Sequence, residues 1–178
     1  MIPSDHFVRF YNEVFKAVME RGRRDLVAYW RELGRLQCAR LAEEFRRGGL
    51  QACYDYWEKI RLEENCEAEL ALTEDYFEFR MLKCPSLSKA LDNDAEPCEL
   101  YCDHCMAWIQ PVMEKAGLYA VMDMHSRSEP HCCFRVYTDK EKAEQYAEGA
   151  KMLSRPYEDP LVAAACERCA GKGGLTRE

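Results

Sequence analysis

The sequence has no run of about 18 apolar residues, the length at which a helix becomes a candidate for crossing a bilayer. Its first residues, Met1 to His6, contain neither the basic stretch nor the apolar core of a signal peptide. We therefore expect no membrane span and no export signal, and we expect a cytoplasmic protein.

An excess of positive charge is also missing. The chain has 25 Lys and Arg against 32 Asp and Glu, which gives a formal net charge of −7. A protein that binds nucleic acid needs a basic face to neutralise phosphates, so we expect no nucleic-acid partner. The two basic clusters, 21–24 and 46–47, lie beside glycines at predicted helix ends, where cations are favourable.

Cysteine, by contrast, is abundant. There are eleven cysteines in 178 residues, but only four histidines. An odd number of cysteines without an export signal argues against a disulfide framework. We expect reduced thiols, some of them metal ligands or catalysts.

The spacing of apolar residues predicts an α+β fold. Helical periodicity predicts three amino-terminal helices, which cover about 4–21, 22–49 and 50–65. Alternating apolar residues then predict two hairpins, made of strands 67–72 and 76–83 and of strands 118–125 and 132–137. A cysteine-bearing helix from Pro97 to Ala116 separates the hairpins, and a polar helix covers 139–153.

This order of elements favours a single domain over residues 1–153, in which amino-terminal helices are followed by an antiparallel sheet of two hairpins. The remaining residues, 154–178, are expected to form a carboxy-terminal tail. Cys166-x-x-Cys169 in this tail has the spacing of metal ligands or of a redox pair, and the sequence does not decide whether it has a function.

The helix predicted from Pro97 carries Cys98, Cys102 and Cys105, which share one face at about 100° per residue. Two interpretations stay open. The three thiols belong to a buried apolar stripe, because cysteine behaves as a small hydrophobe, or they are reactive. A thiol in the first turn of a helix has a lowered pKa, since it feels the positive end of the helix dipole. On this second interpretation Cys102 and Cys98 are the candidate nucleophiles, and His104, on another side of the helix, is expected to be exposed.

Cys102-x-x-Cys105 also has the spacing of metal ligands. Further ligands are available on the adjoining strands, from Cys84 and Cys132 and from the hairpin residues His125 and His131. Cys133 follows Cys132 on the same strand and should point to the opposite face. The candidate cofactor is zinc or an iron–sulfur cluster.

Three segments of the chain resemble the L-2-amino-thiazoline-4-carboxylate hydrolase-like family, which is related to vinyl-4-reductase-like small-molecule-binding domains. They read Lys83-Cys84-Pro85, Leu100-Tyr101-Cys102-x-x-Cys105 and Pro130-His131-Cys132-Cys133-Phe134-Arg135. The resemblance covers about residues 60–140 and places the family's cysteines at Cys84, Cys102 and Cys132. It implies an activity that opens a cyclic amidine or thiazoline ring.

The sequence departs from this family pattern at two positions. Cys105 stands where the family has an acidic residue, and Ser128 stands where it has glycine. Cys105 removes an acid/base carboxylate, but it completes a set of four cysteines with Cys84, Cys102 and Cys132. Four thiolates suit tetrahedral zinc or an iron–sulfur cluster.

Two main hypotheses follow. The first is a hydrolase that acts through a thiolate or a metal-bound hydroxide on a small cyclic substrate. The second is a module that binds a metal and a small molecule without catalysis. A third possibility is that the cysteines, with or without a metal, only stabilise the fold.

Overall fold

The computed structural model describes residues 5–37, 39–92 and 94–158. In these ranges the helices come first and a four-stranded antiparallel sheet follows, which confirms the predicted α+β class. The elements in chain order are α1 (Asp5–Met19), α2 (Arg23–Gln37), α3 (Ala39–Glu63), β1 (Glu67–Leu72), β2 (Tyr76–Lys83), α4 (Pro85–Leu91), α5 (Asp103–Ala116), β3 (Tyr119–Asp123), β4 (Cys132–Tyr137) and α6 (Lys140–Glu148). No helix in the described ranges is long and apolar enough to cross a membrane.

The sheet has the strand order β1-β2-β4-β3, so both predicted hairpins are present and meet at the β2–β4 pair. Phe79 pairs with Phe134 and Met81 pairs with Cys132 across this junction. The beginning of β4 therefore lies beside the end of β2. This register brings Cys84, which directly follows β2, towards Cys132.

The main core lies between the sheet, α3 and α5. Trp57 on α3 stacks on Phe45 and lies 4.9 Å from the ring of Phe134 on β4, measured between ring centroids. A second buried cluster joins α1 and α2 to α4 and to the segment that precedes α5. The helices α1 and α2 thus cover the cysteine-bearing segment from outside.

The predicted break at Gly48–Gly49 is confirmed, because the range α3 consists of two helical stretches that meet at a kink. Gly49 has φ 58° and ψ −140°, which is not a helical conformation. A positive φ is accessible to glycine at little cost, so the chain bends there and resumes its helix.

The cysteine-bearing helix begins at Asp103, so the predicted start at Pro97 is wrong. The side chain of Asn12 on α1 accepts a hydrogen bond from the Cys98 N–H (2.8 Å) and donates one to the Glu96 carbonyl (2.9 Å). These tertiary bonds hold the backbone of 96–98 against α1 in a conformation that is not helical. Cys98 therefore does not share a helix face with Cys102 and Cys105.

The short helix α4 is absent from the sequence prediction, which took Pro85 only as the end of β2. Proline also suits the first position of a helix, because its missing N–H would have no helical partner there. Cys84 caps this helix, since its sulfur accepts a hydrogen bond from the Leu87 N–H at 3.3 Å.

Residues 154–158, which the sequence assigned to a tail, pack against the domain. Ser154 is buried and donates a hydrogen bond to Asp103, and the Tyr157 hydroxyl donates to the Ala107 carbonyl. Arg31 lies over the ring of Tyr157 at 4.6 Å from its centroid. The remainder of the predicted tail, with Cys166 and Cys169, lies outside the described residues.

Candidate functional site

The four cysteines predicted as metal ligands line one cavity. Cys84 follows β2, Cys102 precedes α5, Cys105 lies in the first turn of α5, and Cys132 begins β4. Three separate segments of the chain therefore bring their thiols to the same place. The Cys84 N–H donates to the Pro130 carbonyl at 2.5 Å and ties two of these segments together.

The rest of the lining is mostly apolar or weakly polar. Two thioethers, two imidazoles, three hydroxyls and one leucine complete it, from Met122, Met124, His104, His131, Ser86, Tyr101, Ser126 and Leu87. Among the described residues that line the cavity, none is Asp, Glu, Lys or Arg. A charge that enters the cavity would have to be balanced by the thiols themselves.

The cavity is small, with a volume of about 40 Å³. One water molecule requires about 10–15 Å³ of such volume, so there is room for about three waters. Pockets for drug-sized ligands are about 300–1,000 Å³. In this conformation the cavity suits an ion or a few waters, and a ring-sized substrate would require it to open.

Burial dominates the electrostatics of the four thiols. It raises the pKa of Cys84 to about 11 and the pKa values of Cys102 and Cys105 to about 12, and it raises the pKa of Cys132 well above the ordinary value. Each of the six pairs among the four is also coupled by charge, so that ionisation of one thiol disfavours ionisation of the others. At neutral pH the thiols are protonated.

The expectation of a lowered pKa at Cys102 and Cys98 is therefore wrong. Burial raises the pKa of Cys98 as well, and a hydrogen bond from the Leu100 backbone only partly offsets that effect. The helix-dipole argument considers the local backbone alone, whereas the loss of water around a thiol depends on the elements that cover it.

The thiols do not converge on one point in this conformation. Within residues 5–37, 39–92 and 94–158, no three Cys, His, Asp or Glu side chains are arranged to hold a metal ion. The structure thus brings the predicted ligands to a shared cavity without forming a coordination geometry.

No family model, curated protein or solved structure matches the chain.

His104 contacts the thiol of Cys105, although the sequence placed it on an exposed side of the helix. Its Nε2 lies 3.6 Å from the Cys105 sulfur, and its Nδ1 is hydrogen-bonded to the Tyr101 carbonyl. A carbonyl only accepts, so Nδ1 carries the proton and the lone pair of Nε2 faces the thiol. Burial lowers the pKa of His104, which keeps the ring neutral.

The ring of His104 is covered because α1 packs across the start of α5. Its centroid lies 5.9 Å from the ring of Tyr11, 5.5 Å from that of Phe15 and 5.0 Å from that of Tyr101. The angular position of a residue on its own helix does not reveal such a neighbour, which explains the wrong expectation of exposure.

A chain of hydroxyl groups borders the cavity. The Tyr11 hydroxyl lies 2.8 Å from Ser86 Oγ, which lies 2.7 Å from the Tyr101 hydroxyl. Burial raises the pKa of Tyr101, so its hydroxyl keeps its proton, and either oxygen of each pair can act as the donor. It connects α1, α4 and the segment before α5 next to the thiols.

The residue after Cys102, Asp103, has a buried carboxylate that pairs with Arg127. Asp103 is 3% exposed and binds the Arg127 guanidinium, and its second oxygen accepts from Ser154 Oγ at 2.9 Å. Arg127 also acts on Cys102, where its charge lowers the thiol pKa against the larger effect of burial. The sequence gives no signal that singles out Asp103 or Arg127. An acidic residue in the first turn of a helix is common, and Arg127 belongs to no recognisable motif.

The other candidates lie outside the cavity lining. Cys98 is buried in the cluster formed by α1, α2 and α4. Cys133 points to the opposite face from Cys132, as predicted, and interacts there with Glu78 and Tyr146. His131 lines the cavity, whereas His125 does not. The ring centroids of the two histidines are 5.4 Å apart.

Proposed function

We propose that the protein binds a thiophilic metal ion in the four-cysteine cavity and acts as a metal-binding module. The observation that carries this proposal is that Cys84, Cys102, Cys105 and Cys132, from three separate segments, line one cavity of about 40 Å³. Plain core packing gives no reason for four thiols to meet at a cavity, whereas a soft metal ion uses thiolate ligands.

The electrostatics support an exchange of protons for a metal ion. Thiolate is the ligating form, and burial together with the mutual repulsion of the four sites keeps them protonated when no metal ion is bound. A metal cation offsets both effects and takes the place of the protons, which are released to water. Among the described residues, neither Lys nor Arg lines the cavity, and the charge of Arg127, which acts on Cys102, is outweighed by burial.

Binding requires the thiols to turn about their Cα–Cβ bonds, because no three of them are arranged for a metal in the present conformation. A cysteine side chain has three staggered positions about this bond, so such a change involves no movement of the backbone. The proposal therefore includes a small rearrangement within the cavity.

Titration of metal-free, reduced protein with Cd²⁺ tests the proposal. Cadmium–thiolate bonds absorb in the ultraviolet, and ¹¹³Cd NMR reports the number of sulfur ligands. We expect one Cd²⁺ per chain in the wild type, and weak or absent binding in each of Cys84→Ser, Cys102→Ser, Cys105→Ser and Cys132→Ser.

Two matched controls carry the same change at cysteines outside the cavity. Cys133→Ser lies one residue from Cys132 on the opposite face, and Cys53→Ser lies in the main core. Both should bind Cd²⁺ as the wild type does. Unchanged Cd²⁺ binding in all four cavity variants would refute the proposal.

A thiol hydrolase is a second candidate, supported by the family resemblance and by the contact between His104 and Cys105. In this proposal, His104 Nε2 takes the proton of the Cys105 thiol, and the thiolate forms a bond to the amidine carbon of a thiazoline ring. The bond from this carbon to the ring sulfur breaks, and His104 gives its proton to the leaving sulfur, which becomes the product's thiol. Water then adds to the same carbon, and the bond to Cys105 breaks, which releases N-carbamoyl-cysteine and returns a proton to the Cys105 sulfur. The cavity must open to admit the ring.

Incubation of metal-free protein with 2-amino-thiazoline-4-carboxylate tests this candidate, with N-carbamoyl-cysteine as the product. The proposal expects Cys105→Ser and His104→Gln to lose turnover while they keep the folded structure. The sequence-based nucleophiles, Cys102 and Cys98, are tested in the same way by Cys102→Ser and Cys98→Ser. Turnover at the wild-type rate in Cys105→Ser excludes this mechanism.

A further inference from the structure

Two methionines contribute sulfur to the same cavity. Met122 on β3 and Met124, just after β3, are 6% and 1% exposed, and both line the cavity beside the four thiols. They are two residues apart along an extended chain, which puts both side chains on the sheet face that α5 covers. Six of the residues that line the cavity therefore carry sulfur, four as thiols and two as thioethers.

This set of donors distinguishes between metals. Thioether sulfur is a soft, neutral ligand that suits Cu(I), whereas zinc sites in proteins use thiolate, imidazole and carboxylate ligands. The described lining has no carboxylate that a harder ion would prefer, and its oxygen atoms belong to hydroxyl groups.

For a site in which all four cysteines bind zinc, the charge balance points in the same direction. A Zn²⁺ ion with four thiolates leaves two net negative charges in a lining that has neither Lys nor Arg among its described residues. Burial of uncompensated charge is unfavourable. A Cu⁺ ion with two thiolates leaves one negative charge, and with one thiolate and neutral thioethers it leaves none.

From these observations, and resting on the proposed metal-binding function, we infer that the cavity is a Cu(I) site in which thiolates of the four-cysteine set and the thioethers of Met122 and Met124 bind the ion. Each thiol that becomes a ligand releases one proton to water. Copper enters as Cu⁺ and stays Cu⁺, so no electron is transferred.

The ordinary alternative is that both methionines only fill the core, to which they belong. Replacement by leucine separates these roles, because leucine keeps the apolar volume and removes the sulfur. The test variant is the double substitution Met122→Leu and Met124→Leu. Met113→Leu is the matched control, since Met113 is 1% exposed in the same core but does not line the cavity.

The measurement is anaerobic competition for Cu⁺ against a chromogenic Cu⁺ chelator, with parallel titrations by Zn²⁺ and Cd²⁺. We expect the wild type and Met113→Leu to bind one Cu⁺ in preference to Zn²⁺. In the double variant, Cu⁺ affinity should fall by at least about tenfold, while Cd²⁺ affinity stays within twofold of the wild type.

Failures of the two proposals give different results. If Cd²⁺ binds but Cu⁺ affinity is the same in the double variant, or if Zn²⁺ displaces Cu⁺ from the wild type, the copper inference is wrong and the metal-binding proposal stands. If neither Cd²⁺ nor Cu⁺ binds to the wild type, both are wrong. Equal losses for Cd²⁺ and Cu⁺ in the double variant assign the methionines to packing and also overturn the inference.

Discussion

The thiols of Cys102 and Cys105 should react slowly with a disulfide reagent such as DTNB at neutral pH. Burial is the main cause that raises both pKa values from 9.0 to about 12. The neighbouring thiols add to this effect at Cys102, and the charges of Asp103 and Glu64 add to it at Cys105. At pH 7 this lowers the thiolate fraction by about 10³ relative to an ordinary thiol. A more basic thiolate is intrinsically more nucleophilic, by about 20-fold for a Brønsted coefficient near 0.45. The net expectation is a reaction about 50-fold slower than that of a free thiol, before any effect of restricted access.

The assay follows DTNB labelling of reduced, metal-free protein over time, with mass mapping of the labelled peptides. The same protein in denaturant supplies the reference rate for each cysteine. Between pH 7 and pH 9 the rates at Cys102 and Cys105 should rise about tenfold per pH unit without a plateau, because both groups titrate well above this range.

A fast reaction would contradict this reasoning. If Cys105 reacts at pH 7 as quickly as the denatured chain, or if its rate reaches a plateau below pH 8, then its thiolate is stabilised. In that case His104 acts as its base, and the thiol hydrolase becomes the better proposal.

Three further predictions concern the supports of the site and of the fold. Arg127→Ala leaves the buried carboxylate of Asp103 without its cation, so it should lower the free energy of unfolding by about 2 kcal/mol and the Tm by about 4–8 °C. The control Arg155→Ala removes an exposed ion pair and should change the free energy of unfolding by less than about 0.5 kcal/mol. Asp123→Asn should lower the free energy of unfolding, measured in urea, by about 1–3 kcal/mol, because Asp123 accepts three backbone N–H bonds that one amide oxygen cannot all accept. The control Asp139→Asn lies at a helix N-cap, where Asp and Asn serve equally, and should leave stability unchanged. Equal effects of the two substitutions would refute this reasoning. Burial alone would raise the pKa values of Glu78 and Asp123, but their hydrogen bonds and neighbouring charges lower both values in the folded protein. The stability that the two carboxylates contribute should therefore be complete above about pH 5 and should fall as the pH drops below about 4. A protein with the same free energy of unfolding at pH 6 and pH 3.5 would contradict this.

The set of four cysteines could be predicted from the sequence by two signals. The Cys-x-x-Cys spacing puts Cys102 and Cys105 close together wherever the helix begins, and the family resemblance points to Cys84, Cys102 and Cys132. The pairing of β2 with β4, which brings Cys84 and Cys132 together, joins segments that are far apart in the chain. The alternation of apolar residues within each strand does not reveal such a pairing.

The errors arise where a distant element decides the local structure. Asn12 on α1 holds the backbone at Cys98, so the helix starts later than its cysteine spacing predicts. The same helix covers His104 and helps to remove water from the nearby thiols, which reverses the expected direction of their pKa shift. Pro85 is compatible with both a strand end and a helix start, and only the cap from Cys84 distinguishes them.

The central claim is that the four cysteines form one metal-binding centre. The most direct measurement is native mass spectrometry of protein purified without oxygen, before and after addition of one equivalent of thiophilic metal ion. We expect one ion per chain, and the mass gain should be smaller than the mass of the ion by the mass of the displaced protons. The metal-bound species should be lost in Cys132→Ser but not in Cys133→Ser. A wild-type chain that neither retains nor accepts a metal ion, or a Cys132→Ser chain that binds it equally well, would contradict the claim.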